Sequence, residues 1–142
     1  MNTGIIGEYY VLCELWRKGF NALKADNPNQ KDWDILVLLN NKNIKLQVKT
    51  IDWQKSSSKV ITGNFKNGFD FLALVLLNYN KRKYTVLVIP KSKIKVRSKS
   101  QPRGLLDKEN NILYTNKTIT IGELEKNTKL INEYEDEWSQ IN

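Results

Sequence analysis

Asp34, Gln47 and Lys49 stand on two apolar runs joined by a short polar turn, WDILVLL and IKLQVKTI around NNKN. Runs of this kind predict a β-hairpin. The second run alternates Ile44, Leu46 and Val48 with Lys45, Gln47 and Lys49, as a strand with one apolar and one polar face does. Pairing Leu39 with Ile44 across a four-residue turn sets Leu36 opposite Gln47 and Asp34 opposite Lys49. Asp34, Gln47 and Lys49 then share a face, and a slip of one residue would take Asp34 out of it. An ordinary half-solvated hairpin with a cross-strand Asp–Lys pair satisfies the same pattern.

A fourth candidate lies upstream. The segment from Gly4 to Lys18 predicts a helix, with Thr3 as N-cap and Gly19 as the stop. Val11, Leu12 and Leu15 follow Glu8 at helical spacing, so Glu8 falls within the apolar stripe, whereas Glu14 and Arg17 lie opposite. A carboxylate on a core-facing stripe is costly unless it is paired or meets a metal. It can also reach round to water or a lysine. If this helix packs on the polar face of the hairpin, Glu8 joins the other three residues. Carboxylates and an amide oxygen are hard ligands suited to Mg²⁺ or Mn²⁺. A metal held there can polarise a phosphoryl oxygen and acidify a water, and an ammonium can orient that water and stabilise developing negative charge.

Composition narrows the chemistry further. The 142 residues include no histidine and one cysteine, which excludes Ser–His and Cys–His catalysis, His/Cys zinc sites and any internal disulfide. Cys13 is expected to be a small core residue. Metal-assisted phosphodiester hydrolysis is the reaction these residues suit best.

The net charge of +8 points to a polyanionic partner. It is concentrated in Lys81–Arg103, with nine basic residues and no acid. Within that stretch KSKIKVRSKS predicts a strand carrying Lys91, Lys93, Lys95, Arg97 and Lys99 on one face, as a surface tracking phosphates. A lysine-guarded edge strand is the alternative.

The remaining elements must position these groups. A short strand is expected at residues 21–25, a central apolar strand in FDFLALVLL, another in YTVLVIP, a hairpin around KENN within residues 105–121, and an amphipathic helix over residues 122–140. The order indicates a mixed α/β sandwich. No basic leader and no apolar run of membrane-spanning length is present, so the reading is a cytoplasmic protein without a membrane partner.

GIIGEYYVLCELWRKGF, WDILV and LQVKT together resemble the PD-(D/E)XK nuclease core, a helix bearing a glutamate followed by a hairpin bearing Asp and a (D/E/Q)-x-K triplet. The resemblance runs over residues 4–90 and maps onto Glu8, Asp34 and Gln47-Val48-Lys49. More narrowly, the chain resembles the homing endonucleases of this class from cyanobacterial group I introns, including their Gln-x-Lys variant. This implies a restriction-endonuclease-like α/β core, with a mixed sheet flanked by helices and a C-terminal helix. It also implies a site-specific, Mg²⁺-dependent cutter of double-stranded DNA that acts as a homo-oligomer. Residues 1–142 then form one nuclease domain, with DNA-contact and oligomerisation elements in residues 91–142. Gln47 replaces the usual acid, which leaves Asp34, Glu8 and the Val48 carbonyl as metal ligands. Trp33 stands where proline is usual, and Asp32 competes with Asp34 for the motif position; Asp34 has the right pairing parity. Lys91, Lys93, Lys95, Arg97, Lys99 and Arg103 are the expected DNA contacts, the two arginines being suited to guanine. Tyr134, Trp138 and Ile141 either form an oligomer surface or pack on the chain's own core. A junction resolvase on the same fold, or a basic binding module without activity, is the competing reading.

Overall fold

The computed structural model describes residues 2–26, 32–55, 60–61, 65, 68–79, 84–95, 103–116, 119–120 and 124–142. Helix α1 spans Thr3–Arg17. Its N-cap is Asn2, whose side chain accepts from Ile5 N–H at 3.2 Å, one residue before the expected Thr3. Gly19, at φ 86°, follows its end. Strands β1 (Asn21–Lys24), β2 (Ile35–Leu38) and β3 (Asn43–Asp52) follow, then the short β4 (Val60–Ile61), β5 (Phe71–Leu77) and β6 (Thr85–Pro90). Five of these form the main sheet in the order β1-β2-β3-β5-β6, in which only β3 and β5 are parallel. Leu72–Leu77 are all buried, as a strand covered on both faces requires.

Each face carries its own core. Val11, Leu12 and Leu15 of α1 pack with Ile35, Val37, Ile44, Leu46, Val48 and Val75. On the other face Ile51, Leu72, Leu74, Leu76, Leu87 and Ile89 meet Leu105 and Leu113 of a small sheet and Leu130, Ile131 and Tyr134 of helix α2 (Leu124–Tyr134). That small sheet comprises β7 (Ile94–Lys95), β8 (Arg103–Leu106) and β9 (Ile112–Asn116), while β10 (Ile119–Thr120) pairs with β4. The expected hairpin around KENN is the β8–β9 pair. The fold is the expected mixed α/β class, with helices on both sides of a mixed sheet.

The C-terminal segment departs from one continuous helix. After α2 the chain bridges Glu135 to Leu87, donates Asp136 N–H to Val86 O at 3.0 Å, and ends in a 3-10 turn at Trp138–Ile141. It thus wraps the outer edge of β6 and closes an edge that would otherwise invite pairing with another chain. Tyr134, Trp138 and Ile141 are consequently buried in the chain's own core, so they do not form an oligomer surface. The Tyr134 hydroxyl donates to Leu106 O at 2.7 Å.

Cys13 is exposed, contrary to expectation. It lies one turn from Tyr9 and from Trp16, themselves half exposed, on the outer line of α1. The inner line is fixed by a close approach at Gly7, where a Cβ would lie 1.7 Å from Thr50 Oγ1 and 2.9 Å from Thr50 Cβ. No side chain fits between helix and strand there. Gly7→Ala should therefore destabilise the chain by about 1–3 kcal/mol through overpacking, read from the urea midpoint. A midpoint equal to that of the wild type would show that the contact has room to relax.

Candidate metal centre

The β2–β3 hairpin is tighter than expected. Val37 pairs with Ile44 and Leu38 with Asn43, and Leu39 N–H donates to Lys42 O at 3.0 Å, so the tip is Asn40–Asn41. The register is therefore displaced by two residues from the one expected. Two is the period of a strand, so the paired side chains keep their faces. The last pair of this ladder is Ile35 with Leu46, and Asp34 lies beyond it, so the expected pairing of Asp34 with Lys49 is not formed.

Asp34 sits at the entrance to β2, held on both sides. Its N–H donates to Leu46 O at 2.8 Å, and its carbonyl accepts from Ala25 N–H at 2.9 Å. Beyond this point β3 runs on without a ladder partner from β2. The Asp34 carboxylate fills that place, Oδ2 accepting from Val48 N–H at 2.7 Å. A strand residue directs its N–H and C=O to the same edge, so the Val48 carbonyl opens on the side of Asp34. Gln47 and Lys49 are half-buried, and their registered neighbours on β5 are Leu72 and Leu74. Gln47 Oε1 is buried with no hydrogen-bond partner among the described residues. Asp32, the competing aspartate, is exposed and pressed against Gly68, where a Cβ would come within 2.2 Å of Asp32 Cβ.

Helix α1 packs on the face of Leu46 and Val48, not on the face of Gln47 and Lys49. The condition for gathering all four residues on one face is therefore not met. The Gly7–Thr50 contact sets the helix on that side. Glu8 is half-buried, and its Oε2 pairs with Lys24 Nζ on β1 at 3.1 Å, so it does reach a lysine. Its charge is still felt at Asp34.

Burial holds the Asp34 carboxyl above its ordinary value and the Glu8 charge adds to this, against the Val48 N–H, Lys49 and Lys24. Glu8, Lys24, Asp34 and Lys49 thus form one electrostatic group. A raised value means the folded chain keeps a proton that the unfolded chain has already lost. Asp34 consequently costs stability above its folded value, and the cost disappears as pH falls towards the unfolded value of about 3.9. Asp34→Asn keeps an acceptor for Val48 N–H and should be more stable than the wild type at pH 7, with the gap closing by about pH 4. Melting curves check this; a gap unchanged across that range would contradict the burial cost.

The donor types at the start of β2 and on β3 are those a divalent cation takes. An unpartnered amide oxygen, a carboxylate raised by burial and a carbonyl on the same side are hard oxygen donors of the kind Mg²⁺ or Mn²⁺ takes. A second group of carboxylates, Asp107, Glu109 and Glu133, has one oxygen from each within 4.8 Å of the others. Asp107 caps its own turn, accepting from Glu109 and Asn111 N–H at 2.9 and 2.8 Å. Lys129 Nζ lies 2.8 Å from Asp107 Oδ2 and 4.0 Å from Glu133, and holds the Asp107 carboxyl down to about 2. A cation would enter this second group only by displacing Lys129. The sequence reading missed both Lys24 and this group; the first signal available was a lysine on a short strand beside the Asp34 loop.

The basic stretch is only partly a strand. Pro90 ends β6, Lys91–Lys93 form a 3-10 turn, and only Ile94–Lys95 are extended. The alternation expected from Lys91 onwards therefore fails at its start. Proline has no N–H for the ladder, and Lys91 N–H goes to Asp70 O at 3.0 Å instead. Lys91 Nζ lies 5.5 Å from the centre of the Phe69 ring. Lys93 Nζ donates to Lys108 O and Asn110 Oδ1 at 3.1 and 2.6 Å, which commits it to the β8–β9 turn. Lys95 is half-buried. Arg97 and Lys99, and the side chain of Arg103, lie outside the described residues. Among the described residues no helix is long and apolar enough to cross a membrane.

No known protein family and no curated protein matches the chain. Among solved structures it is similar to a bacterial homing endonuclease, I-Ssp6803I, at 18% identity and a TM-score of 0.49. The similarity covers 63% of this chain and 64% of that one.

Proposed function

We propose that the protein is a PD-(D/E)XK nuclease that hydrolyses phosphodiesters of double-stranded DNA with Mg²⁺, and that it cuts at a specific site, as a homing endonuclease does. The observation that carries this reading is the Asp34 carboxylate held on Val48 N–H within the field of Lys49, on a strand whose Gln47 Oε1 is buried with no hydrogen-bond partner among the described residues. A chain without histidine has few other routes to hydrolysis.

Asp34, the Val48 carbonyl and Gln47 would hold the cation, with Glu8 as a further ligand. When bound, the cation supplies Lewis acidity at the scissile phosphate and acidifies water. Asp34 would supply the anionic ligand, and the cation would offset the cost of its buried charge. Lys49 orients the attacking water and stabilises charge on the phosphoryl oxygens. One such centre cuts one strand, so a double-strand break calls for a homo-oligomer with symmetry-related centres. Lys91 and Lys95, with Arg97, Lys99 and Arg103, supply phosphate and base contacts, while Lys93 keeps its structural role. The whole of residues 1–142 is read as a single nuclease domain.

Incubation with long duplex DNA and with four-way junctions, in Mg²⁺ or in EDTA, tests the reading. Discrete ends at one duplex site, formed only with Mg²⁺, are expected. Cleavage confined to junctions would instead identify a resolvase. Salt-sensitive binding without cleavage would identify a basic binding module.

A further inference from the structure

Lys24 lies inside the electrostatic group of the candidate centre, although no motif singles it out. Its ammonium is 3.1 Å from Glu8 Oε2, and the two side chains are only 26% and 22% exposed, so this is not an open surface pair. The Tyr9 ring covers the ammonium, its centre 5.5 Å from Nζ. The bond to Glu8 raises the lysine's own pKa and keeps it charged, and its charge in turn lowers the Asp34 carboxyl. The backbone next to it is tied to the same place, since Ala25 N–H donates to Asp34 O at 2.9 Å. Lys24 is thus a fixed positive charge on Glu8, at the end of β1 whose next residue is bonded to Asp34.

We propose that Lys24 is the resident counter-ion of Glu8 and competes with the divalent cation for it. This rests on the metal reading of the centre given above. Paired to Lys24 on the α1 face, Glu8 is withheld from Gln47 and Lys49, and the cation first meets Asp34, Gln47 and the Val48 carbonyl. Glu8 joins as a ligand when its bond to Lys24 opens. The ammonium makes the metal-free centre stable, because two carboxylates without it would repel each other, and it weakens metal binding by the same charge. It acts through Glu8 and so is a positioning residue.

Mn²⁺ alone, titrated into the full chain without DNA and followed by the spin-resonance signal of free Mn²⁺, tests this. Lys24→Met should bind Mn²⁺ about 3- to 10-fold more tightly than the wild type, as expected on removing a like charge a few ångströms from the ligand. Lys24→Arg, which keeps the charge, should stay close to wild type. In a Glu8→Gln background Lys24→Met should gain much less, because the ligand in competition is gone. Unchanged or weaker binding by Lys24→Met overturns the proposal and leaves Lys24 as a prop that holds Glu8 in place. Lys24→Gln provides the same comparison if the methionine variant does not fold. Asp34→Asn reports separately on the metal reading: Mn²⁺ binding equal to wild type would overturn that reading whatever Lys24 does. No Mn²⁺ bound by any form overturns both.

Discussion

Lys49→Ala should slow DNA cleavage at saturating substrate by about 10²- to 10³-fold, the loss typical of removing one charged or donor group aimed at developing charge. DNA affinity should change little, because many phosphate contacts contribute to it and Lys49 is only one cation of 23. Lys49 shares its strand face with Gln47, is half-buried, and acts on the Asp34 carboxyl. In the proposed centre an ammonium there would face the scissile phosphate and its water. Single-turnover rates at several DNA concentrations separate the two effects. A loss confined to affinity, with the saturated rate intact, would make Lys49 a phosphate anchor and remove it from the chemistry.

Asp34→Asn should reduce cleavage by about 10³-fold or more, on the order of 4 kcal/mol of barrier, while the fold holds or gains stability. The amide oxygen keeps the bond to Val48 N–H, so only the charge is lost. Asp34→Ala removes the acceptor as well and leaves Val48 N–H without a partner, which costs about 1–3 kcal/mol of stability in addition. The two variants should be equally inactive and differ in melting temperature. Such a residue, inactive and more stable when neutralised, marks a position kept for function at the expense of folding. An Asp34→Asn protein that still cuts would place the metal ligand elsewhere, with Asp32 the first to examine.

Much of this arrangement was legible in local pattern. The helix, the hairpin, the buried strand in FDFLALVLL and the shared face of Gln47 and Lys49 follow from periods of 3.6 and 2, which depend on neighbours in the chain. The paired residues kept their faces even though the hairpin register moved by two residues, because the turn closed on Asn40–Asn41 rather than on four residues, while Asp34 lies beyond the last β2–β3 pair. Which face of the sheet receives α1 was not legible. The stripe of Val11, Leu12 and Leu15 says which side of the helix is inward, and the choice of sheet face lies in a long-range contact, Gly7 on Thr50. The Glu8–Lys24 pair is hidden for the same reason. The wrap of the C-terminal segment round β6 rests on the Glu135–Leu87 bridge, between residues far apart in sequence, and a helical stripe cannot report such a bridge.

The two carboxylate groups offer the most direct discrimination. A crystal of the full chain soaked in Mn²⁺ and measured near the manganese absorption edge locates the ion without reference to activity. An anomalous peak bounded by Asp34, Gln47 and the Val48 carbonyl is expected, and should be lost in Asp34→Asn. A peak at Asp107, Glu109 and Glu133 with Lys129 displaced, and none at Asp34, would contradict the metal reading.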